Sequence, residues 1–546
     1  MKTKKICCFI KVKVLLCICL LFPLSQKSQV NFTDSDLPIV SIFTNGNTIN
    51  DTARVVCNMG IIYNGPGVRN YTSNPFNHFF GKISIEIRGS TSQQYPKKSY
   101  GFETQDALGN NLDTSLLGLP TENDWILYGP YPDKTLMRNE ITYDMFRSMG
   151  YYDARYHYCE LTIDGQYKGL YSFMERIKRD KNRLDIAKLN PWDTIGDELT
   201  GGYIIKIDKL TGGSNTFWSS PYNSKVKYLY HDPEDTELHS TQSNYIKNYV
   251  INFENTMWGN NFADPFTGYR SLIEVNSFVD FFLMQELGRT VDGYRSSSFL
   301  YKQKDSDGGL LRAGPMWDFN LSFGNADYCD AYDTTGWQYN FNQVCPSFTS
   351  AVPFWWAKLL QDNYFADKLK CRWNALRSGI LHKDSIEARI DAQAAILNEA
   401  QARNFIRWPI LGQYVNWNYF IGQTYLDEIN YLKWWFSARS AWMDANLPGL
   451  CTVSTNENAV AKLNVAYQVF PNPVKEFIFI RIHKPYELKN AKISILNLLG
   501  QIILTEENVN DSEIILKKPE QNKGIYFLRV EDESGKTIFS EKLIFE

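Results

Sequence analysis

Residues 82–88 alternate apolar and polar side chains, with Ile83, Ile85 and Ile87 on one face, the period-two pattern of a half-buried strand. A polar loop led by Gly89 covers residues 89–94. Pro96 ends it, and a second strand resumes over 97–102. The spacing predicts a helix over 135–149 that stops at Gly150. Two apolar runs, 158–163 and 167–174, flank Asp164-Gly165, a strong two-residue hairpin signal. Residues 203–208 read as a strand. Residues 272–287 read as a helix with Leu272, Val275, Val279, Phe282, Leu283 and Leu287 on one face. A loop at 292–295 leads to a strand at 298–302, a turn at 305–309 and a return strand that runs into residues 314–320. From 352 to 445 the pattern is mainly helical.

The pattern changes twice near the ends. Residues 1–29 read as a signal peptide: Lys2, Lys4, Lys5, Lys11 and Lys13 precede an apolar stretch at 14–24 that is too short to span a bilayer. Residues 452–466 are polar and unpatterned, a linker. Residues 467–546 show alternating strands with turns at Gly500 and Gly535, a small all-β domain. The expected organisation is therefore a signal peptide (1–29), one large α+β unit (30–451), a linker (452–466) and a β domain (467–546), with no transmembrane segment.

Composition narrows the function. A formal net charge of -3 gives no sign of a nucleic-acid partner. The 33 Tyr, 33 Phe and 14 Trp suit an aromatic-rich core, with a sugar-stacking surface as the sharper alternative. Six cysteines lie beyond the signal peptide, an even number that permits disulfides in an exported chain. Cys329–Cys345 is the favoured local pair. No C-x-x-C, G-x-x-x-x-G-K-[ST], G-x-S-x-G or H-E-x-x-H occurs, and the six histidines are scattered.

What remains is a topological pattern. Asp292 follows a helix, a short hairpin comes next, and Asp318 leaves its return strand. Both aspartates then sit at one end of the hairpin and converge. Phosphoryl transfer uses such a pair: one carboxylate orients the attacking hydroxyl, the other holds a hard divalent cation against phosphate oxygens. Upstream, Lys97 or Lys98 beside the Gly89 loop offers a cation for nucleotide phosphates. Each piece also has an ordinary reading: Asp292-Gly293 as a turn, Asp318 as a cap, the lysines as a solvated edge.

These residues resemble the CotH family of kinase-like proteins. The resemblance is carried by Ile87-Arg-Gly-Ser-Thr-Ser92, Pro96-Lys-Lys-Ser-Tyr100, Asn123-Asp-Trp125, Leu136-Met-Arg-Asn139, Asp164-Gly-Gln-Tyr-Lys-Gly-Leu-Tyr171, Phe173-Met-Glu175, Asp292-Gly-Tyr-Arg295 and Gly314-Pro-Met-Trp-Asp-Phe-Asn320. It implies an atypical protein-kinase-like fold and an enzyme that uses ATP with Mg²⁺ or Mn²⁺ to phosphorylate Ser or Thr of a protein substrate. It further implies Asp292 as the catalytic-loop aspartate and Asp318, with Asn320, as the metal-binding element. Lys97 or Lys98 becomes the nucleotide lysine, Glu140, Glu160 or Glu175 its partner, and Arg88, Gly89 and Ser90 the phosphate loop. One departure stands out: Ser297 occupies the place where kinases carry a metal-binding Asn. Ser297 and the exported location favour a second reading, a dead kinase fold serving as a surface adhesion or scaffold protein. Polysaccharide handling ranks last, since no glycosidase-like carboxylate pair supports it. The tail, through Val469-Phe-Pro-Asn-Pro473, Ile495-Leu-Asn-Leu-Leu-Gly500 and Gly524-Ile-Tyr-Phe-Leu-Arg-Val530, resembles a type IX secretion C-terminal domain. That implies an Ig-like sandwich, the type IX machinery as partner of residues 467–546, and an exported or surface location on a Gram-negative cell.

Overall fold

The computed structural model describes residues 30–210, 216–451 and 467–545, apart from 471–472, 483–487, 498–499, 520–522 and 536. The signal peptide and linker expected from sequence lie outside the described residues. The chain divides into two compact units between Leu450 and Cys451.

In the first unit, β1 (Asp34–Ser35) pairs with β4 (Asn70–Tyr71). Seven other strands close a barrel: β2 (Ile39–Phe43), β3 (Val55–Ile62), β5 (Phe79–Arg88), β6 (Ser99–Gln105), β7 (Asp124–Tyr128), β8 (Tyr156–Ile163) and β9 (Gln166–Glu175). Their order is β2-β3-β5-β6-β7-β9-β8, antiparallel except where β2 meets β8. Alternation sends every second side chain inward. Val40, Ile42, Met59, Ile61, Ile83, Ile85, Phe102, Trp125, Leu127 and Phe173 fill the interior. The β8–β9 hairpin turns at Asp164-Gly165 with both φ angles positive, at 49° and 73°, as a two-residue turn matched to strand twist demands.

A second antiparallel sheet, ordered β11-β12-β10-β13-β14, comprises β10 (Tyr203–Ile207), β11 (Phe217–Ser219), β12 (Lys227–Asp232), β13 (Ser298–Lys302) and β14 (Leu311–Ala313). It packs with helices α1 (Arg138–Ser148), α2 (Ser240–Trp258), α3 (Val275–Gly288), α4 (Phe341–Val344), α5 (Trp355–Leu359), α6 (Asn363–Arg377), α7 (Lys383–Ile396), α8 (Asn398–Arg407) and α9 (Tyr425–Asn446). The sequence suggested one apolar face for α3, but every side chain from Ser277 to Gly288 is buried. α3 runs through the centre of this half, packed by α6, α9 and β14. Its Glu286 meets Arg439 of α9 in a fully buried ion pair at 3.2 Å. The pair is relieved by the Gln338 and Tyr339 amides and the Tyr294 hydroxyl, which also donate to Glu286. Cys329 and Cys345 form a disulfide, as expected. Cys371 and Cys451 are also disulfide-bonded, while Cys57 and Cys159 are buried free thiols.

The second unit is all β. One sheet orders β15 (Tyr467–Phe470), β16 (Phe477–Ile482) and β19 (Glu513–Lys517). The other orders β18 (Ile502–Val509), β17 (Ala491–Leu496), β20 (Gly524–Glu531) and β21 (Thr537–Phe545). Both contribute to one apolar core that includes Ile478, Ile480, Ile493, Ile495, Leu528, Val530 and Leu543. Gly500 and Gly535 have positive φ, as turns there require. Among the described residues, no helix is long and apolar enough to cross a membrane.

Candidate active site

The antiparallel order β10-β13-β14 brings together the end of β10, the start of β13 and the end of β14. Asp208 leaves β10, Ser297 enters β13, and Ile207 pairs with Ser298. The Ser297 amide donates to Asp208 Oδ1 at 3.4 Å. Asp292 lies in the loop between α3 and β13, and Asp318 follows β14. Three carboxylates therefore share one end of one sheet.

Asp292 is held from its own loop. Arg295 Nη2 donates to Asp292 Oδ1 at 2.7 Å, and the Ser296 amide donates to the Asp292 carbonyl at 3.0 Å. Arg295 is itself fixed by Val291 O at 2.9 Å and Ser350 Oγ at 2.6 Å. Its guanidinium lies 4.3 Å from the ring centres of both Phe341 and Phe348. Asp292 keeps part of its carboxylate open to solvent.

Asp318 sits in a left-handed backbone conformation, φ 64°, which a non-glycine residue adopts only when its neighbours hold it there. They do: the Met316 amide donates to Asp153 Oδ2 at 3.1 Å, and the Phe319 amide to Asn139 Oδ1 at 2.6 Å. Phe319 packs against Gly288, where an added Cβ would come within 3.0 Å of its ring. Crowding by protein atoms, then the charges of Asp292 and Asp208, push the Asp318 carboxyl up to about 6, while Lys209 and Arg88 pull it back. Asn320 shares this turn, and its carbonyl accepts from Asn325 Nδ2 at 2.7 Å.

The cationic side comes from the barrel. Arg88 ends β5 with its guanidinium 5.6 Å from the Trp317 ring centre. Burial, then Arg176, lowers its pKa to about 10. Gly89 follows at φ 103°, and a Cβ there would collide with Ser92 Oγ. This turn needs glycine for both reasons. The exposed Ser90 lends its carbonyl to the Gln93 amide.

The lysines expected at the nucleotide lie elsewhere or are engaged. Lys97 is 2% exposed, and its Nζ donates to Asn404 Oδ1 at 2.9 Å over the Tyr171 ring. Burial holds its pKa well below the lysine range. Lys98 Nζ donates to the Gln93 carbonyl. The three candidate partner glutamates are committed too. Glu175 binds Arg155 at 2.7 Å and Glu160 binds Arg403 at 2.6 Å, while Glu140 accepts from Ser172 Oγ. Among the described residues, Lys97 forms no salt bridge with any of them.

Asp208 and Lys209 were not singled out from the sequence, nor was the support Asp153; Asn139 closes the Leu136-Met-Arg-Asn139 motif but had no role assigned to it. An acidic residue closing an apolar strand was the available signal for Asp208, but only the β10–β13 pairing makes it part of this cluster. The structure thus joins Arg88, the Gly89 loop, Asp292, Asp318 and Asn320, and adds Asp208 and Lys209. Among the described residues, no three His, Cys, Asp or Glu side chains converge tightly enough to hold a metal ion by themselves.

An α+β protein with an acidic hairpin end beneath a glycine-led loop, followed by an all-β tail, is what fold and site define. Residues 85–443 match the family model described as CotH kinase protein, and the chain belongs to that family. Residues 468–546 match the model of the secretion system C-terminal sorting domain, the type IX sorting domain. This tail indicates secretion or surface display and implies an encounter with the type IX secretion machinery. No curated protein matches the chain.

Proposed function

We propose that this chain is an exported protein kinase that transfers the γ-phosphoryl group of ATP to Ser or Thr of exported or surface proteins. The observation that supports it most is the meeting of Asp292 and Asp318 at one hairpin end, facing Arg88 and the Gly89 loop. Asp292 is fixed by Arg295 yet partly open, as suits a carboxylate that orients a hydroxyl and accepts its proton. Asp318 lies beside the carboxylates of Asp292 and Asp208, whose charges add to burial in opposing its ionisation, an environment that a bound cation would relieve. Asp318, with Asp208 and Asn320 beside it, would hold Mg²⁺ or Mn²⁺, whose remaining ligands phosphate oxygens and water supply. When bound, the ion neutralises charge developing on the transferred group. Arg88 and the Gly89 amide would face the phosphates. A signal peptide at 1–29 and the sorting tail deliver the chain outward, the tail folding as an Ig-like sandwich.

Ser297 favours a second reading. A hydroxyl, a poorer metal ligand, replaces the expected amide oxygen, which weakens metal binding and suits a dead kinase fold used as an adhesion or scaffold protein. Nucleotide binding separates the two. A thermal shift of the purified chain with ATP and Mg²⁺ or Mn²⁺ supports the kinase; no shift with either ion supports the scaffold.

A further inference from the structure

The cation that serves the nucleotide phosphates can be sought among the groups that face the carboxylates. Two lysines near the Gly89 loop are already committed. Lys97 is enclosed between the barrel and α8, bound to Asn404 Oδ1 and the Pro130 carbonyl. It could reach solvent only by leaving a buried acceptor without its donor, a costly exchange. Lys98 is turned back onto the Gln93 carbonyl of its own loop.

Lys209 stands differently. It follows Asp208 directly off β10, so the β10–β13 pairing that fixes Asp208 beside Ser297 fixes Lys209 at the same sheet end. Its side chain is exposed, and Nζ donates to Thr91 Oγ1 at 2.9 Å. Thr91 belongs to the loop that Gly89 opens. Lys209 thus links the carboxylate end of the sheet to the loop that would cover the phosphates. An ammonium carries three donors, and a hydroxyl engages one of them.

We propose that Lys209, rather than Lys97 or Lys98, is the lysine that contacts the nucleotide phosphates, and that its bond to Thr91 holds the Gly89 loop over them. This assignment rests on the phosphoryl-transfer reading. Lys209 acts as a compact point charge toward phosphate oxygens, with Arg88 as the second cation. No bond is made or broken at Lys209; the phosphoryl group passes from the β-γ bridging oxygen to the hydroxyl oxygen, whose proton goes to Asp292.

The test uses the full chain, titrated with ATP and with adenosine in the presence of Mg²⁺ or Mn²⁺. The variants are Lys209→Met, Lys209→Arg and Lys97→Met. Loss of one charge-assisted phosphate contact weakens binding roughly 10- to 100-fold. Lys209→Met should lose that much affinity for ATP, keep its affinity for adenosine and melt as the wild type does, because the side chain is exposed. Lys209→Arg should recover most of the loss, and Lys97→Met should bind ATP as the wild type does. Equal ATP affinity in wild type and Lys209→Met overturns the assignment and leaves the kinase reading standing. A wild type that binds ATP with neither ion overturns the kinase reading itself.

Discussion

Arg295 donates to the Asp292 carboxylate at 2.7 Å while two phenylalanine rings, Phe341 and Phe348, flank its guanidinium. The orientation of Asp292 thus depends on a cation that is anchored in an aromatic bed. Arg295→Met keeps an apolar stem there and removes the bonds to Asp292, Val291 and Ser350. Misplacing a reacting group by about 1 Å costs about 100-fold. Phosphate transfer should therefore fall by about 10- to 100-fold in kcat, with KM for ATP nearly unchanged. Steady-state kinetics checks this split.

The Cys329–Cys345 disulfide closes the loop that carries Phe341 and lies just before Phe348. Closing a loop of this length stabilises by about 3 kcal/mol. Replacing Cys329 and Cys345 by serine should lower the denaturation midpoint. It should also loosen the bed under Arg295 and so lower transfer. Denaturant titration of the double-serine variant against wild type without reductant, followed by an activity assay, measures both effects.

Lys97 is a structural lysine here. Lys97→Met removes a buried amine together with its bond to Asn404, while the Leu170 amide still donates to Asn404 Oδ1 at 3.2 Å. Stability should change by no more than about 3 kcal/mol, the upper scale of one hydrogen bond to a charged group. Equilibrium unfolding of the variant against wild type reads this directly.

Glu140 should make stability depend on pH. Burial raises its pKa to about 8, against which the Ser172 hydrogen bond works only in part. A carboxyl with a raised folded pKa contributes stability that is full below about 4.5 and is lost as pH rises toward about 8, because the folded state binds the proton more tightly. Glu140→Gln imitates the protonated form and should flatten that limb. At about 1.4 kcal/mol per pKa unit, the difference between variant and wild type should change by more than about 2 kcal/mol from pH 5 to pH 8. Chemical denaturation at several pH values checks it.

Much of the local structure was legible, and for identifiable reasons. The strand Ser298–Lys302 was readable to its ends because an apolar run is bounded by a polar loop and a turn. Asp164-Gly165 announced its hairpin through turn chemistry that few other pairs satisfy. By contrast, α2 gave no start signal, since its N-cap is His239 rather than Ser, Thr, Asp or Asn. The barrel escaped notice because its closure depends on β2 lying beside β8, a pairing between distant segments. The same limit explains the site. Asp292 and Asp318 flank one local hairpin, so their meeting could be inferred. Asp208 and Lys209 join them only through the long-range β10–β13 pairing. Lys97 was read as accessible because nothing beside it in sequence reveals that Asn404 and Tyr171 enclose it.

The most direct test of the central claim is phosphate incorporation from labelled ATP, with Mg²⁺ or Mn²⁺, into the protein itself and into casein. The account predicts incorporation by the wild type and near-complete loss in Asp318→Ala, which removes the carboxylate proposed to hold the cation. Failure of the wild type to incorporate phosphate with either ion, or undiminished incorporation by Asp318→Ala, would contradict it.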